Sequence, residues 1–227
     1  MEYITNIDEL SDSSLEVDFD TDKKRISEIV EKLKYRISKD NLIAISAPQI
    51  GEKVRIFCIR FTTKQNGKTF DKVHTFVNPV IVGMRGFVLD REKDISLPDR
   101  EFIIARNNDI NVMFQTEKGE SVEHKFSGKI AAFIQLMVDH LDGILLTDMG
   151  LEIDHLFDEA TEEERNELLK AYTEWIESYQ KKLTSDIEED KELSSMNDAI
   201  KFIQSVRSGE TNLGAPIEID TSALQGE

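Results

Sequence analysis

The sequence predicts an α+β domain in which antiparallel sheets surround one central helix, with a helical extension at the C-terminus. Residues 42–126 hold repeated runs of β-branched and aromatic residues separated by polar, turn-like stretches. Gly128 to Asp148 carries Ile130, Phe133, Ile134, Met137, Val138 and Leu141 at helical spacing, the pattern of a buried helix that stops at Asp142-Gly143. Past Asp148 the chain becomes helical and polar. Sheets flanking one central helix make an α+β domain.

Element by element, residues 1–20 are rich in Asp and Ser with few periodic apolar positions, which predicts a mobile acidic arm or a segment ordered by a partner. Asp22 to Lys39 places Ile26, Ile29, Val30, Leu33 and Ile37 on one stripe of an amphipathic helix. Strands are expected at Val54 to Phe61 and Thr75 to Val82, around the turn-like Gln65-Asn66-Gly67, and at Phe102 to Ala105 and Asp109 to Gln115. Glu117 to Glu120 is a hairpin turn before Val122 to Phe126. Ile144-Leu145-Leu146 is a short apolar run. Thr161 and Glu164 form a capping-box pattern that starts a helix to about Lys182, with Leu168, Leu169, Tyr172, Trp175, Ile176 and Tyr179 on its face. After a charged break at Thr184 to Glu192, Met196, Ile200, Phe202, Ile203 and Val206 suggest one more amphipathic helix ended by Gly209, and Pro216 to Asp220 is extended. The expected division is an arm over 1–20, a domain over 21–183 and an acidic tail over 184–227. Tyr3, Ile4 and Ile7, Phe202, Ile203 and Val206, and Ile217 and Ile219 are discrete apolar anchors that need burial, on the chain's own body or on a partner.

A chain of 227 residues, 39% hydrophobic and 32% charged, can bury a sizeable core, and no apolar run reaches the length of a membrane span. The first residues lack a basic-then-apolar pattern, so no secretory signal is expected. A single cysteine, Cys58, excludes an internal disulfide and reads as a small buried apolar residue. The net charge of −17 is uneven: residues 151–227 hold 20 acids and 7 bases. Such a chain is repelled by phosphate backbones and anionic lipid, which argues against nucleic-acid and membrane binding.

Three stretches carry the chemistry. Around the central helix stands Gln135-x-x-x-Asp139-His140-Leu141-Asp142-Gly143; upstream lie Ala44 to Gly51, AISAPQIG, and Glu92-Lys93-Asp94-Ile95-Ser96 followed by Leu97-Pro98. In this order, with Phe76-Val77-Asn78-Pro79 between the first two, they resemble the motifs of peptide deformylases: Gly-x-Gly-Leu-Ala-Ala-x-Gln, Glu-Gly-Cys-Leu-Ser and Gln-His-Glu-x-Asp-His-Leu-x-Gly. The resemblance covers roughly residues 22–175 and implies the deformylase fold, in which a C-terminal helix is common. It also implies where a site would lie. The family glutamine, which helps hold the metal-bound water or the formyl oxygen, matches Gln49. The glutamate of the second motif matches Glu92, and the metal-binding cysteine matches Asp94. In the third motif the first metal histidine is Leu136, the general acid/base glutamate is Met137, and the second histidine survives as His140. Both glycines of the first motif are replaced, by Leu42 and Ala44, whose Cβ atoms are expected to narrow the groove.

The matched positions offer one imidazole, one carboxylate and a leucine, against the three protein ligands and open position of a catalytic zinc or iron site. With Met137 at the acid/base position, no proton carrier is expected there. These six positions, Gln49, Glu92, Asp94, Leu136, Met137 and His140, therefore read as vestiges, with no catalytic residue, metal or cofactor expected. His140, alone on a core helix beside Asp139, reads as structurally satisfied. The expected function is a non-catalytic deformylase-like structural or interaction protein that binds other subunits, conceivably in a phage virion or assembly, with a cytoplasmic or virion location and homo-oligomer formation open. The alternatives are a metal-dependent deformylase or other amide hydrolase with an unusual ligand set, and a peptide- or small-ligand-binding module keeping the groove.

Overall fold

A computed structural model describes residues 3–65, 68–86, 88–153 and 160–174. The chain divides into two compact units, Met1–Gly150 and Leu151–Glu227. Among the described residues no helix is long and apolar enough to cross a membrane.

The first unit is built on a five-stranded antiparallel sheet in the order β1-β2-β3-β6-β7. Its strands are β1 (Ala44–Ser46), β2 (Ile56–Gln65), β3 (Lys68–Arg85), β6 (Asp109–Gln115) and β7 (Ser121–Ser127). A second antiparallel pair joins β4 (Val88–Glu92) to β5 (Glu101–Arg106), Val88 opposite Arg106 and Glu92 opposite Phe102. Alternation along β2 dictates the two cores. Phe57 and Ile59 point to one face, where they meet Phe76, Phe102, Ile104, Val112 and the helix α3 (Lys129–Leu141). Ile56 and Cys58 point to the other, against the helix α2 (Lys23–Lys39). This period of two is the reason one strand can serve both layers. All five stripe residues predicted for α2 are buried, and so are Ile134, Met137, Val138 and Leu141 of α3.

β2 and β3 are longer than the predicted 54–61 and 75–82, and β4 was not foreseen. Its five residues are Val-Leu-Asp-Arg-Glu, and only Glu92 is buried, so no buried apolar face marks it in the sequence. The turn at Gly119, φ +83°, connects β6 to β7 as expected.

Residues 3–20 are not a free arm. A one-turn helix α1 (Ile7–Leu10) is capped by the Asn6 side chain, and Leu10 and Val17 are buried. Backbone bonds fasten the segment to the body: Ile4 N to Gln49 O, Ser14 N to Leu141 O, and Arg55 N to Leu15 O. Asn78, at φ +48°, clamps Val17 through both halves of its amide, at 3.0 Å to the backbone nitrogen and 2.7 Å to the carbonyl. Gly143, φ +70°, lets the segment pass, since a Cβ there would lie 2.3 Å from Ser11 O. Composition suggested mobility because acids dominate; the binding is carried by backbone groups, which composition does not report. Tyr3 meets Asp40 through its hydroxyl and Arg36 over its ring, so this anchor is used by the chain's own body.

In the second unit, β8 spans Leu151–Ile153 and residues 162–174 are helical. The predicted capping box is present: Glu164 accepts from Thr161 N at 2.7 Å, and Thr161 Oγ1 accepts from Glu164 N at 3.3 Å. Tyr172 is buried. Trp175, Ile176, Tyr179 and the whole of 184–227, with the predicted second helix and extended strand, lie outside the described residues.

Candidate functional site

Three pieces of backbone converge in the first unit. β1 delivers Ser46, and a 3-10 turn at Pro48–Ile50 delivers Gln49, its Pro48 setting φ and Gly51 closing it at φ +82°. The loop after β4 delivers Asp94 and Ser96. α3 delivers His140 from its last turn. All five side chains are buried; Asp94 has the greatest exposure at 8%.

Hydrogen bonds link them into one cluster. His140 Nε2 lies 3.2 Å from Asp94 Oδ2, and His140 Nδ1 lies 3.2 Å from Ser46 Oγ. Gln49 Oε1 accepts from Ser46 N at 2.9 Å and stands 3.2 Å from Ser46 Oγ, while Gln49 Nε2 donates to Asp94 at 3.2 and 3.3 Å and to Ser96 Oγ at 3.3 Å. Ser96 N donates to Asp94 Oδ1 at 2.6 Å. Burial pushes the Asp94 carboxyl up, but the His140 charge and the bonds from His140 and Ser96 outweigh it, and the net shift is downward. Asp94 is therefore held ionised in a dry setting.

Of the positions singled out by sequence, Gln49, Asp94 and His140 come together. Glu92 does not join them. It forms a two-pronged pair with Arg106, at 2.9 and 2.8 Å, and Arg106 also reaches Asp139 at 2.6 Å, so this buried guanidinium ties β4, β5 and α3 together. Leu136 and Met137 belong to the apolar cluster of α3. Leu42, expected to crowd the groove, packs instead with the α2 cluster, and Ala44 packs on the α3 side. The sequence reading passed over Ser46 and Arg106. The signal for Ser46 was its place in AISAPQIG, where the resembled motif has alanine; Arg106 had no local signal. Both ring nitrogens of His140 have partners, as a buried imidazole requires.

The donor set does not fit a catalytic zinc or iron ion. Asp94 and His140 give two donors, already bonded to each other, and a third would have to come from Leu136; three are needed. Among the described residues no three of His, Cys, Asp and Glu gather to hold an ion. Beside Leu136 a cavity of about 300 Å³ opens between β4 and α3, floored by Ala132, Phe133 and Leu136. Its rim carries ion pairs, Lys129 with Asp90 and Arg91 with Glu101.

The sequence profile of the family described as Polypeptide deformylase matches residues 3–156. A peptide deformylase of Elusimicrobium minutum (strain Pei191) is 33% identical over 162 residues, 70% of this chain and 88% of the relative. One from Dictyoglomus turgidum is 33% identical over 137 residues, 60% and 82% of the two chains. Among solved structures, a probable peptide deformylase from synechococcus phage S-SSM7 superposes with a TM-score of 0.58 at 32% identity, covering 66% of this chain and 97% of its own. A structure from Thermotoga maritima, at 22% identity and TM-score 0.55, shares the fold. The relatives are named as enzymes, which overturns the expectation of a chain outside enzymology. Loss of ligands at matched positions is a statement about a donor set, and it was extended too far when taken as loss of activity.

Proposed function

The chain belongs to the polypeptide deformylase family, and from that premise we propose that it is an amide hydrolase acting on the N-formyl group of peptides. The observation that carries this reading is the convergence of Gln49, Asp94 and His140, three matched motif positions, within hydrogen-bond distance in one buried cluster. Hydrolysis adds water across the carbon–nitrogen bond, giving formate and a free amine. A carboxylate and an imidazole in contact supply the proton traffic this needs: His140 takes and returns the proton, and Asp94 orients the ring and balances its charge. The cavity beside Leu136 has room for a substrate side chain, with an apolar floor and a charged rim.

The test is formate release from formyl-Met-Ala-Ser by the full chain, read by a coupled formate dehydrogenase assay. Release that is lost in His140→Ala supports the reading. Peptide that binds by calorimetry and stays formylated through prolonged incubation refutes it, as does complete inertness.

A further inference from the structure

We propose that Ser46 is the nucleophile of this site, and that Ser46, His140 and Asp94 act as a hydroxyl–imidazole–carboxylate relay that needs no metal ion. The inference rests on the amide hydrolase reading and assigns the attacking atom within it. Its first support is connectivity. The hydroxyl, the ring and the carboxylate are joined in sequence at 3.2 Å and 3.2 Å, the distances at which an imidazole can draw a proton from an alcohol while a carboxylate steadies it. The imidazole presents Nδ1 to the hydroxyl and Nε2 to the acid. Either ring nitrogen can serve either role, provided the proton sits on the one facing the carboxylate.

The surroundings favour that tautomer. Asp94 is fixed by Ser96 N and Gln49 Nε2 and held ionised, so its oxygen facing His140 accepts the Nε2 proton and leaves Nδ1 with a lone pair for Ser46. Gln49 Oε1 holds Ser46 by its backbone nitrogen, fixing the residue that carries the attacking oxygen. A second support is substitution. The matched positions that would supply a third metal donor and a separate acid/base are apolar, Leu136 and Met137, while a hydroxyl stands where the resembled motif has alanine, in contact with the surviving imidazole. What the site lacks for metal hydrolysis it has for nucleophilic hydrolysis.

The steps balance without any further reagent. Ser46 Oγ attacks the formyl carbon and its proton passes to His140 Nδ1. The carbon–nitrogen bond breaks, the amine leaves with that proton, and Ser46 carries a formyl ester. Water then attacks the ester, giving its proton to Nδ1; formate departs and the proton returns to Oγ. Ser46 and His140 are enclosed in the resting chain, so side chains must move for entry. The cavity floor includes Leu136, one helical turn before His140 and on the same face of α3, and this is the side from which an acyl group would come.

The experiment uses the full chain, stripped with chelator, and formyl-Met-Ala-Ser. Formate release should match that of untreated protein. Acid quenching during turnover, followed by peptide mapping, should find a formyl ester on Ser46. Ser46→Ala should keep its fold by circular dichroism and lose turnover by roughly 1,000-fold or more, the scale on which triad members act; Ser46→Cys should retain part of it as a thioester. If formate release is abolished by the chelator, or proceeds in Ser46→Ala at the wild-type rate, the hydrolase reading stands and this inference falls. If no preparation releases formate, the hydrolase reading falls and takes the inference with it.

Discussion

Asp94 is the hub of the buried cluster, and its replacement should be felt in stability before any activity is measured. Alanine at 94 leaves His140 Nε2, Gln49 Nε2 and Ser96 N facing a hole where a charge stood. Breaking a buried pair in this way costs roughly 3–5 kcal/mol. With a urea slope of about 2 kcal/mol per molar, a loss of about 4 kcal/mol lowers the midpoint by about 2 M. Asparagine should cost less, about 1–2 kcal/mol. It keeps an acceptor for Ser96 N, and the imidazole can move its proton to Nδ1, where Ser46 Oγ accepts it. The two variants also differ from wild type in their response to pH. The folded pKa of Asp94 lies below its ordinary value, so the stabilisation is complete above the usual carboxylate range and is lost as pH falls through the folded value. Asp94→Asn has no such group to titrate, so the gap between it and wild type should close in acid. Urea titrations of both proteins across a pH series measure this. A gap that stays constant into acid, or an alanine variant as stable as wild type, would refute the account of the cluster.

Three further outcomes are expected. Arg106→Met leaves Glu92 and Asp139 without their shared cation and should cost roughly 3–5 kcal/mol, whereas the same change combined with Glu92→Gln should recover part of the loss, read as urea midpoints. Gly143→Ala places a Cβ 2.3 Å from Ser11 O at a left-handed φ, so the N-terminal segment should loosen; limited proteolysis should cut within residues 11–17 faster than in wild type, and equal rates would contradict the close approach. Cys58 is fully buried and burial pushes its thiol up to about 12, so a disulfide reagent should leave it unmodified in the native chain at neutral pH and titrate it once urea unfolds the protein.

How far the sequence could be read depended on which force shaped each part. α2 and α3 were legible because a single buried stripe sets their period, and Ile26 to Ile37 report it directly. β6 was legible to the residue, since Ile110 and Val112 alternate inward between two turns. β4 was not, because its register is held by backbone pairing to β5 while its outward residues carry no apolar signal. The N-terminal segment was misjudged for a related reason: Asn78 and the carbonyls of Gln49, Lys53 and Leu141 hold it, and none of these leaves a mark in the segment's own composition. At the site, the motif positions of Gln49, Asp94 and His140 located the centre. The bond from Ser46 to His140 joins residues 94 apart, which local spacing cannot foresee. The conclusion that function had gone with the metal ligands failed because it weighed what was missing and left unexamined what stood beside the histidine that remained.

The clasp at Gly143 bears on how the protein is made. Ser13 and Asp142, which touch across it, are 129 residues apart, and the segment that grips the end of α3 is the first to leave the ribosome while its binding place is formed near the end of the unit. Until Leu141 to Gly143 has emerged, Leu10 and Val17 have only part of their native surroundings, and closing so long a loop is paid for in chain entropy before any contact rewards it. Docking of the N-terminus is thus a late event in synthesis, and it seals α3, with His140 on its last turn, only in a chain complete to that point.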